Sequence, residues 1–299
     1  MSYLHFSSRG IILMILATLL FSIMHASIKH ISSDIHPFEV AFFRNLFGLV
    51  VIAPWFIKYG IKPLITNRIK LHFLRSVFNV IAMLTFFYAL SVSPLAEVAS
   101  LSFTAPLFAT LLAIIFLGEK IGIRRSAAII IGFIGAAIIV NPDYKTINIG
   151  HMCVLISASI WSVSLIFIKI LGKTESSVTI TSYMVLFMIP LSAIAASFYW
   201  IMPSLNDLLV LAIIGITGTY AQMLLAQALK EEDTVVIMPF DFLKLVWAVL
   251  IGYLIFSEVP QVNTWIGSII IFSSTLYVAY RERKIPPKVD KNITQPVDQ

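Results

Sequence analysis

Residues 238–256 read MPFDFLKLVWAVLIGYLIF, an apolar run long enough to cross a bilayer that nevertheless contains Asp241 and Lys244. A spanning α-helix needs about 20 consecutive, mostly apolar residues. Similar runs occupy almost the whole chain and predict ten spans, at residues 9–29, 37–57, 70–91, 94–117, 123–140, 148–171, 177–199, 206–229, 234–256 and 262–280. The sequence therefore predicts an all-α integral membrane protein.

The composition supports this fold class. Of the 299 residues, 59% are hydrophobic and 12% are charged, whereas a soluble domain has about 25% charged residues. The single cysteine, Cys153, excludes an intrachain disulfide and a cysteine-based metal site. The sequence has no GxxxxGK[ST] phosphate-binding loop, which argues against an ATP-driven pump, and we expect no cofactor.

The basic residues predict the orientation of the chain. Short cytoplasmic loops of membrane proteins are enriched in lysine and arginine. If the N-terminus is inside, nearly all such residues of the loops and ends fall on the cytoplasmic side, and Lys29 and Lys145 are the exceptions. We therefore expect both termini in the cytoplasm of a bacterium with the protein in its inner membrane. The net charge of +6 is explained by this asymmetry, so no nucleic-acid partner is inferred.

The two halves of the chain resemble each other. Residues 242–260, FLKLVWAVLIGYLIFSEVP, align with residues 103–121, FTAPLFATLLAIIFLGEKI. The run from Gly10 likewise aligns with the run from Gly150 and pairs Lys29 with Lys169. Five spans is an odd number, so the second copy must be inverted in the membrane. We predict repeats at 9–140 and 148–280, followed by a disordered cytoplasmic tail at 281–299.

Several of these stretches resemble the EamA family of the drug/metabolite transporter superfamily. The resemblance covers residues 10–280 and is carried by HPFEVAFFRNLFG at 36–48, LSFTAPLFATLLAIIFLGEKI at 101–121, IIGFIGAAIIV at 130–140 and MPFDFLKLVWAVLIGYLIFSEVP at 238–260. It implies ten helices in two inverted repeats, which bind a small molecule near the midplane and work by alternating access. The charged ninth span is similar to that of a subgroup with S-adenosylmethionine uptake carriers and proposed riboflavin carriers.

The charged residues within the spans are candidates for binding this molecule. A charge at the centre of a spanning helix costs roughly 2.5–3.5 kcal/mol on insertion scales and usually faces a cavity or the protein interior. Asp241 and Lys244 are three residues apart, so they share one helix face. The pair is absent from the aligned first repeat, where Ser102 and Ala105 stand instead. We expect Asp241 to neutralise Lys244 in the empty carrier and the substrate to compete for that contact.

Other charged positions have structural alternatives. We expect Arg75 to extend to the cytoplasmic headgroups, with a cavity role as the alternative. Glu39 is expected to pair with Arg44 or Lys29, or to bind substrate together with Arg44. Three groups near the outer interface are candidates for proton coupling, although simple solvation there is the preferred interpretation: His25, Glu39 and Glu97.

Aromatic and amide side chains complete the predicted site. A tryptophan or tyrosine at membrane depth usually packs in the core, but its NH or OH needs a partner there. The full set of predicted substrate-binding residues is Glu39, Arg44, Arg75, Asn79, Tyr88, Trp161, Tyr220, Gln222, Phe240, Asp241, Lys244 and Trp247.

A cavity with one cation, one carboxylate and several aromatic rings suits a planar or zwitterionic metabolite. We therefore expect a secondary transporter for S-adenosylmethionine or a similar nucleoside-like metabolite, with amino-acid export as the alternative within this class. A membrane enzyme or a subunit of a larger complex is the alternative from other classes. A homodimer is also possible. We expect Gly132 and Gly135 to allow close helix packing.

Overall fold

A computed structural model describes residues 8–117, 122–140, 148–232 and 234–283. Apart from a short 3₁₀ turn at Lys62–Leu64, the regular structure in these ranges consists of α-helices. They are α1 Ser8–Ile31, α2 Pro37–Tyr59, α3 Ile69–Val92, α4 Leu95–Ser102, α5 Ala105–Leu117, α6 Ile123–Val140, α7 Ile149–Leu171, α8 Ser177–Ala196, α9 Leu205–Glu231, α10 Thr234–Asp241, α11 Leu243–Phe256 and α12 Val262–Arg283.

The predicted membrane spans are confirmed within the described residues. Nine helical stretches there are long and apolar enough to cross a membrane, and a tenth, Ser126–Val140, is shorter. The tail prediction concerns residues that mostly lie outside the described part, since α12 ends at Arg283. The repeated Glu119 also lies outside the described residues.

Short polar caps start several helices and keep the connections tight. The side chain of Asn148 accepts a hydrogen bond from the Gly150 amide at the start of α7. Ser204 and Asp207 form a capping box at the start of α9, each side chain bonding the other's backbone amide. Caps of this kind satisfy amide groups that the first helical turn leaves without partners.

Two predicted spans are each broken into two helices, which the sequence analysis treated as continuous. The fourth span is α4 and α5, and Phe103 and Thr104 form the tight turn between them. Pro106 has no N–H with which to bond the carbonyl of Ser102, where α4 ends. The ninth span is α10 and α11, interrupted at Phe242, three residues after Pro239.

The two breaks fall at equivalent positions of the repeats and touch each other. The sequence alignment pairs Phe103 with Phe242, and these rings stack with their centroids 4.3 Å apart. Phe242 also lies 3.9 Å from the ring of Phe272 on α12. The middle of the molecule is therefore where both repeats have a discontinuous helix, as in many carriers built from inverted repeats.

The helix contacts show the symmetry of the two repeats. Helix α1 packs against α9 as α7 packs against α3, and α1 contacts α10 and α11 as α7 contacts α4 and α5. The pairs α2 with α8 and α6 with α12 join equivalent helices across the symmetry axis. The chain therefore folds as two related five-span repeats, in agreement with the sequence repeat.

The predicted role of the glycines in helix packing is confirmed for α6 and α12. A Cβ atom added at Gly135 would lie 2.9 Å from the carbonyl oxygen of Gly267, and one at Gly132 would lie 2.8 Å from the Ser274 hydroxyl. Side chains at these positions would force the two backbones apart. We call this contact the glycine seam (Gly132, Gly135, Gly267 and Ser274).

We predict that Gly135→Leu lowers the stability of the detergent-solubilised protein by about 2 kcal/mol, because overpacking at a backbone contact has no relaxed alternative. Thermal unfolding measures this effect. The control is Ile134→Leu, which changes an exposed neighbour on the same helix and should leave the transition in place. Equal stability of both variants would contradict the seam.

Candidate functional site

An ion pair lies at the break in the ninth span. Asp241 ends α10, Lys244 lies in the first turn of α11, and Lys244 Nζ contacts Asp241 Oδ1. Both side chains are largely buried. The predicted pairing of these two residues is thus confirmed, and the break places it beside the contact between the repeats.

A chain of aromatic side chains from α1 and α3 begins beside this pair. Lys244 Nζ lies 5.0 Å from the centre of the Phe21 ring. His25, one turn along α1, stacks on Phe21 at 6.1 Å and lies 4.9 Å from the Phe86 ring. We call Phe21, His25, Phe86, Asp241 and Lys244 the helix-break site. His25 belongs to this site, so its expected solvation at the outer interface is wrong.

Two more predicted residues, Phe240 and Trp247, lie on α10 and α11, and a third, Gln222, lies on α9. The Nε1 atom of Trp247, one turn after Lys244, is buried and has no hydrogen-bond partner among the described residues. An unpaired buried donor costs roughly 1–3 kcal/mol, so a substrate acceptor would stabilise it. Phe240 packs against the hydrophobic core, and Gln222 of α9 is buried.

Trp161 marks the equivalent place in the other repeat. It aligns with Phe21, and α7, which carries it, contacts α4 and α5 as α1 contacts α10 and α11. The positions that correspond to the ion pair are Ser102 and Ala105, on α4 and α5 of the first repeat. The symmetry-related place therefore combines an aromatic residue of the second repeat, Trp161, with uncharged positions of the first repeat.

Arg75 does not extend to the headgroups. Only 2% of it is exposed, and its Nη1 donates to the carbonyl of Ile180 on α8 at 3.2 Å. Its Nη2 lies 3.7 Å from the sulfur of Met184. The expectation was wrong because α8 packs directly on α3 and offers a carbonyl oxygen closer than the membrane surface.

Arg44 and Glu39 are buried but do not pair with each other. Arg44 donates to the Asn45 side chain at 2.9 Å and to the Gly218 carbonyl at 3.3 Å. Glu39 Oε2 accepts from the amide of Ile201 at 3.0 Å, which ties α2 to the loop before α9. The expected pairing of Glu39 with Arg44 or Lys29 was therefore wrong. Glu39 accepts from a backbone amide instead, and Arg44 donates to Asn45 and to a backbone carbonyl.

Asn79 belongs to the same interior as the two arginines. Its amide lies 3.1 Å from the sulfur of Met188 on α8. The described contacts of Arg44, Arg75 and Asn79 do not include Asp241 or Lys244. These side chains connect α2, α3, α8 and α9, whereas the helix-break site is built on α1, α3, α10 and α11.

Two predicted tyrosines lie on outward helix faces. Tyr220 is 40% exposed and follows Leu209 and Ile213 along the exposed stripe of α9. Tyr88 lies between the exposed residues Ile81 and Val92 on one face of α3. Helical spacing puts each tyrosine on the side that turns away from the core, so neither is directed toward the helix-break site.

An ion pair that was not expected connects three segments at one end of the helix bundle. Lys29 Nζ lies 2.8 Å from Glu258 Oε1 and donates to the Ser93 carbonyl at 2.6 Å. Glu258 Oε2 accepts from the amide of Leu95 at 2.8 Å. We call Lys29, Ser93, Leu95 and Glu258 the end latch, because it joins α1, the α3–α4 junction and the α11–α12 loop.

The local backbone supports this latch. Ser257 has a left-handed conformation with φ of 55°, which is uncommon for a residue other than glycine. It turns the chain so that Glu258 returns over α11, where the absence of a side chain at Gly252 leaves room for the carboxylate. Lys169, the repeat equivalent of Lys29, is exposed. The latch could have been suspected from the repeated lysine and glutamate positions.

Glu97 has a partner that sequence reasoning missed. His151 Nε2 lies 2.7 Å from Glu97 Oε2, and both side chains are largely buried. The expected solvation of Glu97 is therefore wrong. The pair joins α4 to α7 and thus bridges the two repeats, while His25 is the candidate coupling group that contacts the helix-break site.

Comparison with known proteins agrees with this architecture. The model of the EamA-like transporter family matches residues 8–141 and again residues 148–280. The chain belongs to this family. As an EamA-like protein it is a multi-pass membrane transporter of small molecules and not an enzyme.

Individual EamA-like relatives differ in their named substrates. The S-adenosylmethionine uptake transporter of Rickettsia bellii (strain RML369-C) is 33% identical over 260 residues, which are 87% of this chain and 89% of that protein. The riboflavin transporter of Vibrio cholerae serotype O1 is 31% identical over 289 residues, or 95% and 97%. A crystal structure with 18% identity and a TM-score of 0.64 covers 92% of this chain and 98% of its own, and it supports the fold alone.

We predict that Lys29→Met destabilises the protein by about 2 kcal/mol, because Glu258 would then lack a cation in a largely buried place. Adding Glu258→Gln should recover part of the loss. Thermal unfolding of the single and double variants measures the coupling, and Lys169→Met serves as an exposed control. A loss from Lys29→Met no larger than that of the control would contradict the latch.

Proposed function

We propose that this EamA-like transporter carries S-adenosylmethionine, or a similar nucleoside-like metabolite, into the cell by alternating access. The observation that carries the proposal is the Asp241–Lys244 pair beside Phe21, at the break where the repeats meet. A site with both charges and several rings matches a zwitterion attached to a planar base. The Rickettsia relatives named as S-adenosylmethionine uptake transporters support this choice.

The ion pair gives each end of an amino-acid moiety a partner. Lys244 provides a cation for a carboxylate, and Asp241 provides a carboxylate for an ammonium group. Each is held by the other in the empty carrier, which keeps the cost of two buried charges low. We infer that the substrate exchanges these contacts for its own, so that no charge is left unpaired during loading.

A separate aromatic residue, Trp161 of α7, is available for the nucleobase of the substrate. Trp161 stands at the position of Phe21, and Ser102 and Ala105 leave that place uncharged. Stacking on an aromatic face contributes roughly 1–3 kcal/mol per base. We infer that the planar ring system binds on the Trp161 side while the charged group binds at Asp241 and Lys244.

The end latch supports an alternating-access cycle. Lys29 and Glu258 hold α1, α4 and the start of α12 together at one end, whereas the equivalent Lys169 is exposed. We propose that this end faces the outside, that both termini are cytoplasmic, and that the latch opens to admit substrate. Inner-membrane placement follows from the same orientation.

Riboflavin is the second candidate, because a relative at 31% identity is named a riboflavin transporter. A flavin is also planar, but its isoalloxazine and ribityl groups carry no charge that would require both Asp241 and Lys244. Export of amino acids uses the same ion pair without the aromatic side. A labelled-substrate comparison separates the three possibilities.

We predict saturable uptake of labelled S-adenosylmethionine into proteoliposomes, and a loss of at least about tenfold in uptake from Lys244→Met or Asp241→Asn, since each leaves one buried charge unpaired. The matched control is Lys169→Met, at an exposed lysine. Uptake of labelled riboflavin and of a labelled amino-acid mixture is measured in the same proteoliposomes. Unchanged uptake in both site variants would refute the placement of the site.

We also predict that Trp161→Ala raises the concentration of S-adenosylmethionine needed for half-maximal uptake by about tenfold, because stacking on the ring is lost. Trp265→Ala, at a largely exposed tryptophan of α12, is the control and should change it by less than about twofold. Equal effects of the two substitutions would show that Trp161 has only a packing role.

A further inference from the structure

The ammonium group of Lys244 occupies a place that is built like a binding site for an organic cation. It lies 5.0 Å from the centre of the Phe21 ring and contacts the carboxylate of Asp241 on another side. Aromatic faces attract cations through the negative potential above the ring, and they do so more strongly where water is excluded. Aromatic rings that recognise quaternary ammonium ligands work in this way.

The helix break adds to the potential on each side of this place. Asp241 ends α10, whose last carbonyl groups contribute partial negative charge, while Lys244 lies at the start of α11, where free amide groups contribute partial positive charge. Asp241 with Phe21 is therefore the cation-binding side of the break. Lys244 with the start of α11 is the anion-binding side.

Lys244 is able to leave the cation-binding side. Its charge sits on a flexible four-carbon stem, and the backbone that carries it begins just after the interruption at Phe242. Withdrawal would leave the carboxylate of Asp241 buried without a cation, which is strongly unfavourable. A positive group must therefore replace Lys244 whenever Lys244 turns to another partner.

The cation site occurs once in the molecule's two repeats. The equivalent positions in the first repeat are Ser102 and Ala105, and the residue that aligns with Phe21 is Trp161. Since the rest of the helix packing is shared by both repeats, the charges at 241 and 244 are not needed to hold such a packing together. This asymmetry favours a role in ligand recognition.

From these contacts we infer that Phe21 and Asp241 form a site for the positively charged group of the substrate, a sulfonium or an ammonium, which Lys244 fills in the empty carrier. Binding transfers Lys244 to the substrate's carboxylate while the substrate's cation takes its place above Phe21. The inference rests on the proposed function and adds which residue selects charged over neutral nucleosides.

The test compares competitors of labelled S-adenosylmethionine uptake in proteoliposomes. The neutral competitor is methylthioadenosine, which lacks both cations, and unlabelled S-adenosylmethionine is the charged one. We expect wild-type protein to bind the charged compound at least about tenfold more tightly. Because methylthioadenosine also lacks the carboxylate that Lys244 binds, part of this ratio does not depend on Phe21; Phe21→Leu should lower the ratio by at least about threefold by weakening the charged compound alone.

Two further variants make the result specific. Phe86→Leu removes an aromatic ring of the same site that contacts His25, and it should weaken both compounds by the same factor and keep the ratio. Phe21→Tyr preserves the aromatic face and should also leave the ratio between the charged and the neutral compound unchanged. S-adenosylhomocysteine keeps the ammonium and the carboxylate but has no sulfonium: competition equal to S-adenosylmethionine assigns the site to the ammonium, and competition weaker than S-adenosylmethionine by the factor that Phe21→Leu removes assigns it to the sulfonium.

Other outcomes overturn the inference. If Phe21→Leu weakens charged and neutral compounds equally, Phe21 acts only as an apolar surface. If the wild-type protein takes up S-adenosylmethionine but does not distinguish it from methylthioadenosine, the cation site is wrong and the proposed function stands. If the wild-type protein takes up no S-adenosylmethionine, the proposed function itself is wrong and this inference falls with it.

Discussion

Two of the predicted membrane spans are interrupted within the described chain, and the backbone groups freed at each break need hydrogen-bond partners that lipid cannot supply. Such breaks are tolerated where protein surrounds them or where they line a water-filled cavity. Here each break is covered by the other, because Phe103 and Phe242 stack at the contact between the repeats. The position of the ion pair, the aromatic rings beside it and the location of the site all follow from the need to enclose these interruptions.

The fold was predictable because the bilayer imposes a length on every apolar run, and the ends of the long helices agree closely with the predicted spans. The breaks were not found, since Pro106 and Pro239 lie within runs that remain apolar throughout. A proline in such a run predicts a bend or an interruption equally. Whether the helix bends or is interrupted depends on how the two repeats pack against each other.

The site was predictable where spacing alone decided the contact, as for Asp241 and Lys244. It was not predictable where the direction of a helix face decided it. On α9, Leu211 and Ile214 are fully buried whereas Leu209 and Ile213 are exposed, so identical residue types lie on both sides. A helix that is apolar all round gives no sign of which side faces lipid, which is why Tyr220 was placed wrongly. His151 is distant in sequence from Glu97 and no pattern joins them, whereas Lys29 and Glu258 are joined only indirectly, through the repeated lysine and glutamate positions.

The glycine seam also limits how the two repeats can move. Backbone atoms of α6 and α12 are in direct contact at Gly135 and Gly267, so one helix cannot slide along the other without lifting a carbonyl over its neighbour. Rotation about the contact keeps the two surfaces together. The seam therefore permits tilting of α6 against α12 more readily than sliding.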